Sequence, residues 1–188
     1  MTDVTHLQAI KAHLNRPVVL VGMPASGKTS LGRGLSHILD VPFIDIDHVI
    51  EHNIGQKIIH FFEAHGEPAF RDLETQTIRA VFADNPGACI ISTGGGAVLR
   101  PDNRPLLFNN THSFWVRANI ASLLERTAKD THRPLLKNAD PEKVLLNLQS
   151  IRYPLYQQAS MIVDTDGRLP EQILPEILEK INERLSTS

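Results

Sequence analysis

The sequence predicts an α/β protein built on a doubly wound, five-stranded parallel sheet. Three observations predict it. Short apolar runs alternate with amphipathic helical stretches along the chain, as in a parallel sheet covered on both faces. The first run, residues 18–22, leads straight into Gly22-Met23-Pro24-Ala25-Ser26-Gly27-Lys28-Thr29, which fits G-x-x-x-x-G-K-[ST] at every fixed position, and a helical pattern follows. The polar motifs fall just past apolar runs, at the carboxyl ends of strands, where such sheets bind ligands.

Residues 5–15 put Leu7, Ile10 and Leu14 on one helical face ahead of Pro17, predicting a lead-in helix that packs on the domain or on a partner. We read residues 1–16 as an N-terminal extension and 17–188 as one domain. The helix over about 28–39 carries Leu31, Leu35, Ile38 and Leu39 at helical spacing, and Asp40-Val41-Pro42 ends it. Phe43-Ile44 is a very short second strand closing on Asp45-Ile46-Asp47. Residues 47–85 read as helical, interrupted at Gly55 and at Gly66-Glu67-Pro68. This stretch exceeds what a crossover needs; it predicts a helical insertion that builds a substrate pocket. Residues 88–92 are the near-continuous apolar run of a central strand, and Thr93-Gly94-Gly95-Gly96 follow at once. Residues 112–117 form the fourth strand, with the only tryptophan, Trp115. Helices are predicted at about 119–129 and 141–158, separated by a polar stretch, about 128–141, where a lid is expected. Residues 160–164 make the last strand, and a helix over 170–185 turns Leu174, Ile177, Leu178 and Ile181 inward.

Composition narrows the function classes. The chain has 188 residues, 41% hydrophobic and 21% charged, which fits one globular domain. A net charge of −2 gives no global field for nucleic acid. No apolar run reaches membrane-spanning length, and the N-terminus lacks a secretory pattern. No membrane partner is therefore expected, and the cytoplasm is the expected setting. A single cysteine, Cys89, excludes an internal disulfide and a cysteine-based zinc site, and reads as a small buried hydrophobe. The nine histidines form no metal pattern.

The chemistry starts at the glycine loop. Backbone N–H groups of such a loop and its helix start form a phosphate cradle. Gly22 and Gly27 let the backbone turn and approach the phosphates. Lys28 neutralises the outer phosphates, and the Thr29 hydroxyl takes a place on Mg²⁺. The chain therefore binds a nucleoside triphosphate. Asp45 and Asp47 lie two apart past a strand; in extended chain both project from one face. One then serves Mg²⁺ and the other an attacking hydroxyl; the competing reading makes Asp47 a helix N-cap. Arg71 and Glu74, three apart, share a helix face. They are either a solvated pair or a pocket arginine oriented by its carboxylate. Gly94, Gly95 and Gly96 offer bare backbone to an oxygen-rich ligand or simply form a flexible turn. Arg126, Arg133 and Arg152 lie in the last third: Arg133 in the lid stretch and Arg152 in a helix, where a guanidinium suits a bidentate grip on a carboxylate. Singly, each of the three also reads as a surface charge.

From Pro17 onward the chain resembles the shikimate kinase family. The resemblance rests on G-M-P-A-S-G-K-T, F-I-D-I-D, G-E-P-A-F-R-D-L-E, S-T-G-G-G, R-P-L-L and R-Y-P-L-Y, in that order. It implies the P-loop kinase fold and transfer of the ATP γ-phosphoryl to the 3-hydroxyl of shikimate, in aromatic amino-acid biosynthesis. It also implies roles. Gly22, Met23, Pro24, Ala25, Ser26, Gly27, Lys28, Thr29 and Ser30 hold the nucleotide, with Arg126 lining the adenine site and Arg133 meeting the phosphates from the lid. Thr29, and Asp45 through water, serve Mg²⁺. Asp47, Arg71, Gly94, Gly95, Gly96 and Arg152 hold shikimate. Lys28, Asp47 and Arg133 are the implied catalytic residues, and a monomer is implied. Ser92-Thr93 stand where a Walker-B aspartate is found in other P-loop enzymes. A gluconate kinase and a nucleotide-binding switch are the competing readings; the first does not account for the F-R-x-x-E and G-G-G segments together, and the second would not need Asp47, Arg71 and Arg152 to converge.

Overall fold

The computed structural model describes residues 4–128 and 140–187. Five parallel strands form one sheet in the order β2-β3-β1-β4-β5. They are β1 (Val18–Val21), β2 (Phe43–Asp45), β3 (Ile90–Ser92), β4 (His112–Arg117) and β5 (Met161–Asp164). Val18 pairs with Ile90 on one side and His112 on the other. With neighbours on both edges and helices on both faces, β1 is buried at every residue, which is why its sequence shows no alternation.

The period of two along β1 divides the core. Val19 and Val21 point into one cluster with Met23, Ile46, Ile50, Ile78, Trp115 and Tyr156. Val18 and Leu20 point into the other, with Ile10, Leu31, Leu35, Phe114, Ile177 and Ile181. The lead-in helix α1 (Val4–His13) packs on the domain itself, against α2 (Lys28–Leu39) and α8 (Pro170–Ser186); Ile10 and Leu14 are buried there.

The first core is covered by α3 (Ile46–Ile54), α4 (Ile58–Asp84), α5 (Asn103–Phe108), α6 (Ile120–Ala128) and α7 (Pro141–Tyr156). The break expected at Gly66 is a kink inside α4, where Gly66 adopts φ 78° and ψ 173°; Pro68 falls at the restart, where its missing N–H costs no helix bond. The break expected at Gly55 is the left-handed cap that ends α3, at φ 67°. Two elements were not predicted, a 3₁₀ turn at Ala97–Leu99 and the short α5. Among the described residues no helix is long and apolar enough to cross a membrane.

Chain order makes β1 the switch point: β3 and β2 lie to one side, β4 and β5 to the other. The loops after β1 and β3 open into the crevice at the carboxyl ends, where ligands bind in open α/β sheets.

Candidate active site

The glycine loop occupies the crevice. Gly22 has φ 150° and Gly27 φ 101°, values that L side chains rarely adopt. A Cβ on Gly22 would also lie 2.3 Å from the Val116 carbonyl oxygen, so the loop is pressed against β4. Lys28 is buried and donates to the Gly22 and Met23 carbonyls at 3.0 and 2.8 Å. The Met23 side chain is buried in the first core.

The extended-chain premise for Asp45 and Asp47 is overturned. Strand β2 ends at Asp45 and α3 begins at Ile46, so Asp47 stands in a first helical turn. The helix cap is Asp45: its Oδ1 accepts from the Asp47 and His48 amides at 3.1 and 3.4 Å. Its Oδ2 accepts from the Thr29 hydroxyl at 2.9 Å. One carboxylate thus ends a strand, starts a helix and reaches the phosphate loop.

The three glycines after β3 are each fitted to a different neighbour. A Cβ on Gly94 would lie 2.7 Å from Asp47 Oδ1 and 2.8 Å from Glu74 Oε1. On Gly95 it would lie 2.8 Å from Pro24 Cδ and 3.2 Å from Arg152 Nη1. On Gly96 it would lie 2.4 to 2.5 Å from Cζ and both Nη atoms of Arg71. The space that a bare backbone leaves is filled by the chain's own side chains. The turn therefore gathers Asp47, Glu74, Arg71 and Arg152, and touches the phosphate loop at Pro24.

Helix α4 places Arg71 and Glu74 one turn apart, and their ion pair closes at 2.7 Å with the Glu74 side chain fully buried. Both Nε and Nη2 of Arg71 donate to Glu67 Oε1 at 3.1 Å. This is a pocket arginine, not a solvated one: its side chain is 12% exposed. Burial is the largest influence on Arg71 and opposes its charge, but Glu74 and Glu67 outweigh it and raise its pKa. Burial raises the Glu74 carboxyl pKa above its ordinary value against the pull of Arg71 and Arg152. Glu74 Oε1 and Arg152 Nε are buried without hydrogen-bond partners among the described residues.

Two clefts adjoin these groups. One, of about 380 Å³, is lined by Glu67, Pro68, Arg71, Leu99 and Arg100. The other, of about 160 Å³, lies beside the loop, with Ser26, Gly27, Ser30, Arg126, Thr165 and Pro170 in its wall. Arg126 donates to the Ala25 and Ser26 carbonyls at 3.4 and 3.3 Å, and to Thr165 through its hydroxyl at 3.0 Å and its carbonyl at 2.6 Å. Arg133 and most of the expected lid lie outside the described residues. Sequence reasoning missed Glu67, whose spacing of four from Arg71 was a usable signal. It also missed Thr165, for which there was none.

The shikimate kinase family model matches residues 24–182. The chain belongs to the shikimate kinase family. It is 40% identical over 169 residues to the shikimate kinase of Marinomonas sp. (strain MWYL1), covering 89% of this chain and 93% of that one. A solved shikimate kinase from Acinetobacter baumannii, in complex with shikimate, superposes with a TM-score of 0.83 at 31% identity, covering 96% and 97% of the two chains. A gluconokinase from Sinorhizobium meliloti gives a TM-score of 0.66 at 18% identity, covering 93% and 96%; that likeness is one of fold alone. The five-stranded P-loop kinase architecture expected from the sequence is the one observed.

Proposed function

We propose that the pocket transfers the γ-phosphoryl group of ATP specifically to the 3-hydroxyl of shikimate, with residue roles as follows. Phosphorylation of shikimate by ATP, in aromatic biosynthesis, is the reaction of this shikimate kinase family member. The observation that carries the assignment of roles is the convergence on Gly94–Gly96. Two arginines and two carboxylates meet there, against Pro24 of the phosphate loop. Shikimate carries a carboxylate at one end and hydroxyls at the other, so it needs arginines and an acceptor carboxylate on opposite sides.

Arg71 and Arg152 grip the substrate carboxylate, and Glu74 keeps the Arg71 guanidinium in place. Arg152 brings a buried, unpartnered Nε to that task. Asp47 holds the reacting hydroxyl and takes its proton. The amides of Gly22–Ser30 cradle the phosphates, and Lys28 exchanges its bonds to Gly22 and Met23 for phosphate oxygens. Arg126 bounds the cleft for the adenine, and Arg133 closes on the phosphates from the lid. Such a site does little covalent work, so positioning and charge stabilisation dominate.

The donor set fits a magnesium ion: the Thr29 hydroxyl and the Asp45 carboxylate are adjacent oxygen ligands. They would hold it, Asp45 through water, and the ion would supply neutralisation of phosphate charge. We take the enzyme to act as a cytoplasmic monomer on small molecules, with no nucleic-acid or membrane partner.

The test is ADP release from MgATP with shikimate, gluconate, a nucleoside monophosphate or no acceptor. Turnover only with shikimate is the expected result. Acceptor-independent turnover, or turnover with gluconate alone, would overturn the reading. The position of transfer is read from the product by phosphorus–proton correlation in NMR; phosphate on any other hydroxyl removes the 3-hydroxyl assignment.

A further inference from the structure

We propose that Tyr156 is a positioning residue of the acceptor pocket: its hydroxyl pins the Gly95 peptide and thereby sets the place of the Arg152 guanidinium. The inference rests on the reading of Arg152 as a carboxylate clamp. Tyr156 is fully buried and among the largest side chains that are. A buried phenol needs a hydrogen-bond partner, and this one donates to the Gly95 carbonyl at 2.5 Å. Arg152 and Tyr156 are four apart on α7, so they share a helix face. Both meet the same residue, Arg152 beside the Gly95 Cα and Tyr156 at its carbonyl.

Carbonyl accounting isolates the role. Gly94 accepts from the Ala97 amide at 3.1 Å and Gly96 from the Leu99 amide at 2.9 Å. Both bonds are local and would travel with the turn. Gly95 is held instead by Tyr156, 61 residues away. Three consecutive glycines carry little stiffness of their own. The bond from α7 is thus what fixes the middle glycine relative to the helix that carries Arg152. The Tyr156 hydroxyl meets Gly95 and Arg152, so its role is exercised through them.

The experiment is a double-mutant cycle of Tyr156→Phe and Arg152→Ala, with kcat, both KM values and melting temperature for each protein. Tyr156→Phe keeps the ring and deletes what the hydroxyl holds, the Gly95 carbonyl and the Arg152 side chain beside it. Its shikimate KM is expected to rise roughly tenfold, the scale of one hydrogen bond in a charged pocket, with the ATP KM unchanged. In the Arg152→Ala background the same change is expected to move the shikimate KM by less than about twofold, because coupled residues are not additive. A lower melting temperature with both KM values unchanged would reduce Tyr156 to a packing residue and overturn the proposal. So would full additivity with Arg152→Ala. Gly95→Ala puts a methyl 3.2 Å from Arg152 Nη1, and 2.8 Å from Pro24 Cδ, and keeps the test available whatever the stability of Tyr156→Phe. An unchanged shikimate KM in Gly95→Ala would also count against the proposal. If Arg152→Ala itself leaves the shikimate KM unchanged, the clamp reading falls and takes this inference with it. If Arg152→Ala raises that KM while Tyr156→Phe does not, only this inference falls.

Discussion

Replacing Gly96 with alanine isolates one contact in the acceptor pocket. Gly96 has φ −101° and ψ −1°, a negative-φ bridge conformation that is open to alanine. Elsewhere such a change stabilises a protein by about 0.4–1 kcal/mol, through the unfolded chain. Here the new methyl would lie 2.4 to 2.5 Å from three guanidinium atoms of Arg71, against 3.4 Å for ordinary contact. Relief requires a shift of about 1 Å, and the guanidinium is not free to give it. Glu74 holds it at 2.7 Å and Glu67 at 3.1 Å. A displacement of that size at a substrate clamp costs about a hundredfold in rate, or about 2.7 kcal/mol in the transition state. We therefore expect Gly96→Ala to lower kcat/KM for shikimate about a hundredfold while the ATP KM holds. The assay is coupled ADP release with each substrate varied in turn, beside a thermal melt. A variant that melts higher than wild type and keeps kcat/KM within about threefold would refute the reasoning.

Three further expectations follow from single groups. His112 is buried with neither ring nitrogen partnered among the described residues. Burial, then the charges of Arg184 and Arg16, lower its pKa below the ordinary 6.5. The unfolded chain then binds the proton first, so His112 contributes stability above pH 6.5 that is lost as the pH falls below it; His112→Phe should flatten that part of a melting-temperature profile, and an unchanged slope would exclude His112 as its source. Asp47→Asn should cut turnover about a hundredfold or more with the ATP KM retained, whereas near-normal turnover would leave Asp47 no role in activating the hydroxyl. Burial pushes the Cys89 thiol up to about 11, so iodoacetamide at pH 8 should label it only after unfolding, and rapid labelling of the folded enzyme would contradict its burial.

The frame was legible where local pattern and local chemistry agree. Strand β4 was legible at its observed bounds, because Phe114, Trp115 and Val116 make a compact apolar centre after the Asn109-Asn110 turn. Arg71 and Glu74 were legible as a pair because one helical turn separates them. The end of extension at Asp45, which makes Asp45 the cap, was not legible: β2 has three residues, too few to reveal where extension stops. Helix α5 has six residues, with Pro101 just before it and Pro105 inside it, so no period could mark it. The glycine triplet announced missing side chains but not what fills their places. Those neighbours come from Pro24, α3, α4 and α7, at separations that no local signal spans. The bond from Thr165 to the Ser26 carbonyl, across 139 residues, is the extreme case.

The packing of α1 on α8 has a consequence for how the chain reaches this state. Ile10 lies in the same core cluster as Ile177 and Ile181, so one face of the sheet is closed by the first and last helices of the chain. A ribosome making the protein from its N-terminus leaves Val18 and Leu20 without their full cover until residues 170–186 have emerged. The other face, with the acceptor pocket, draws on elements that end at Tyr156 and can assemble first. Long-range closure of this kind is slow. Loss of either helix opens the same seam, and α8 carries Pro170 and Ile173 into the wall of the cleft beside the glycine loop.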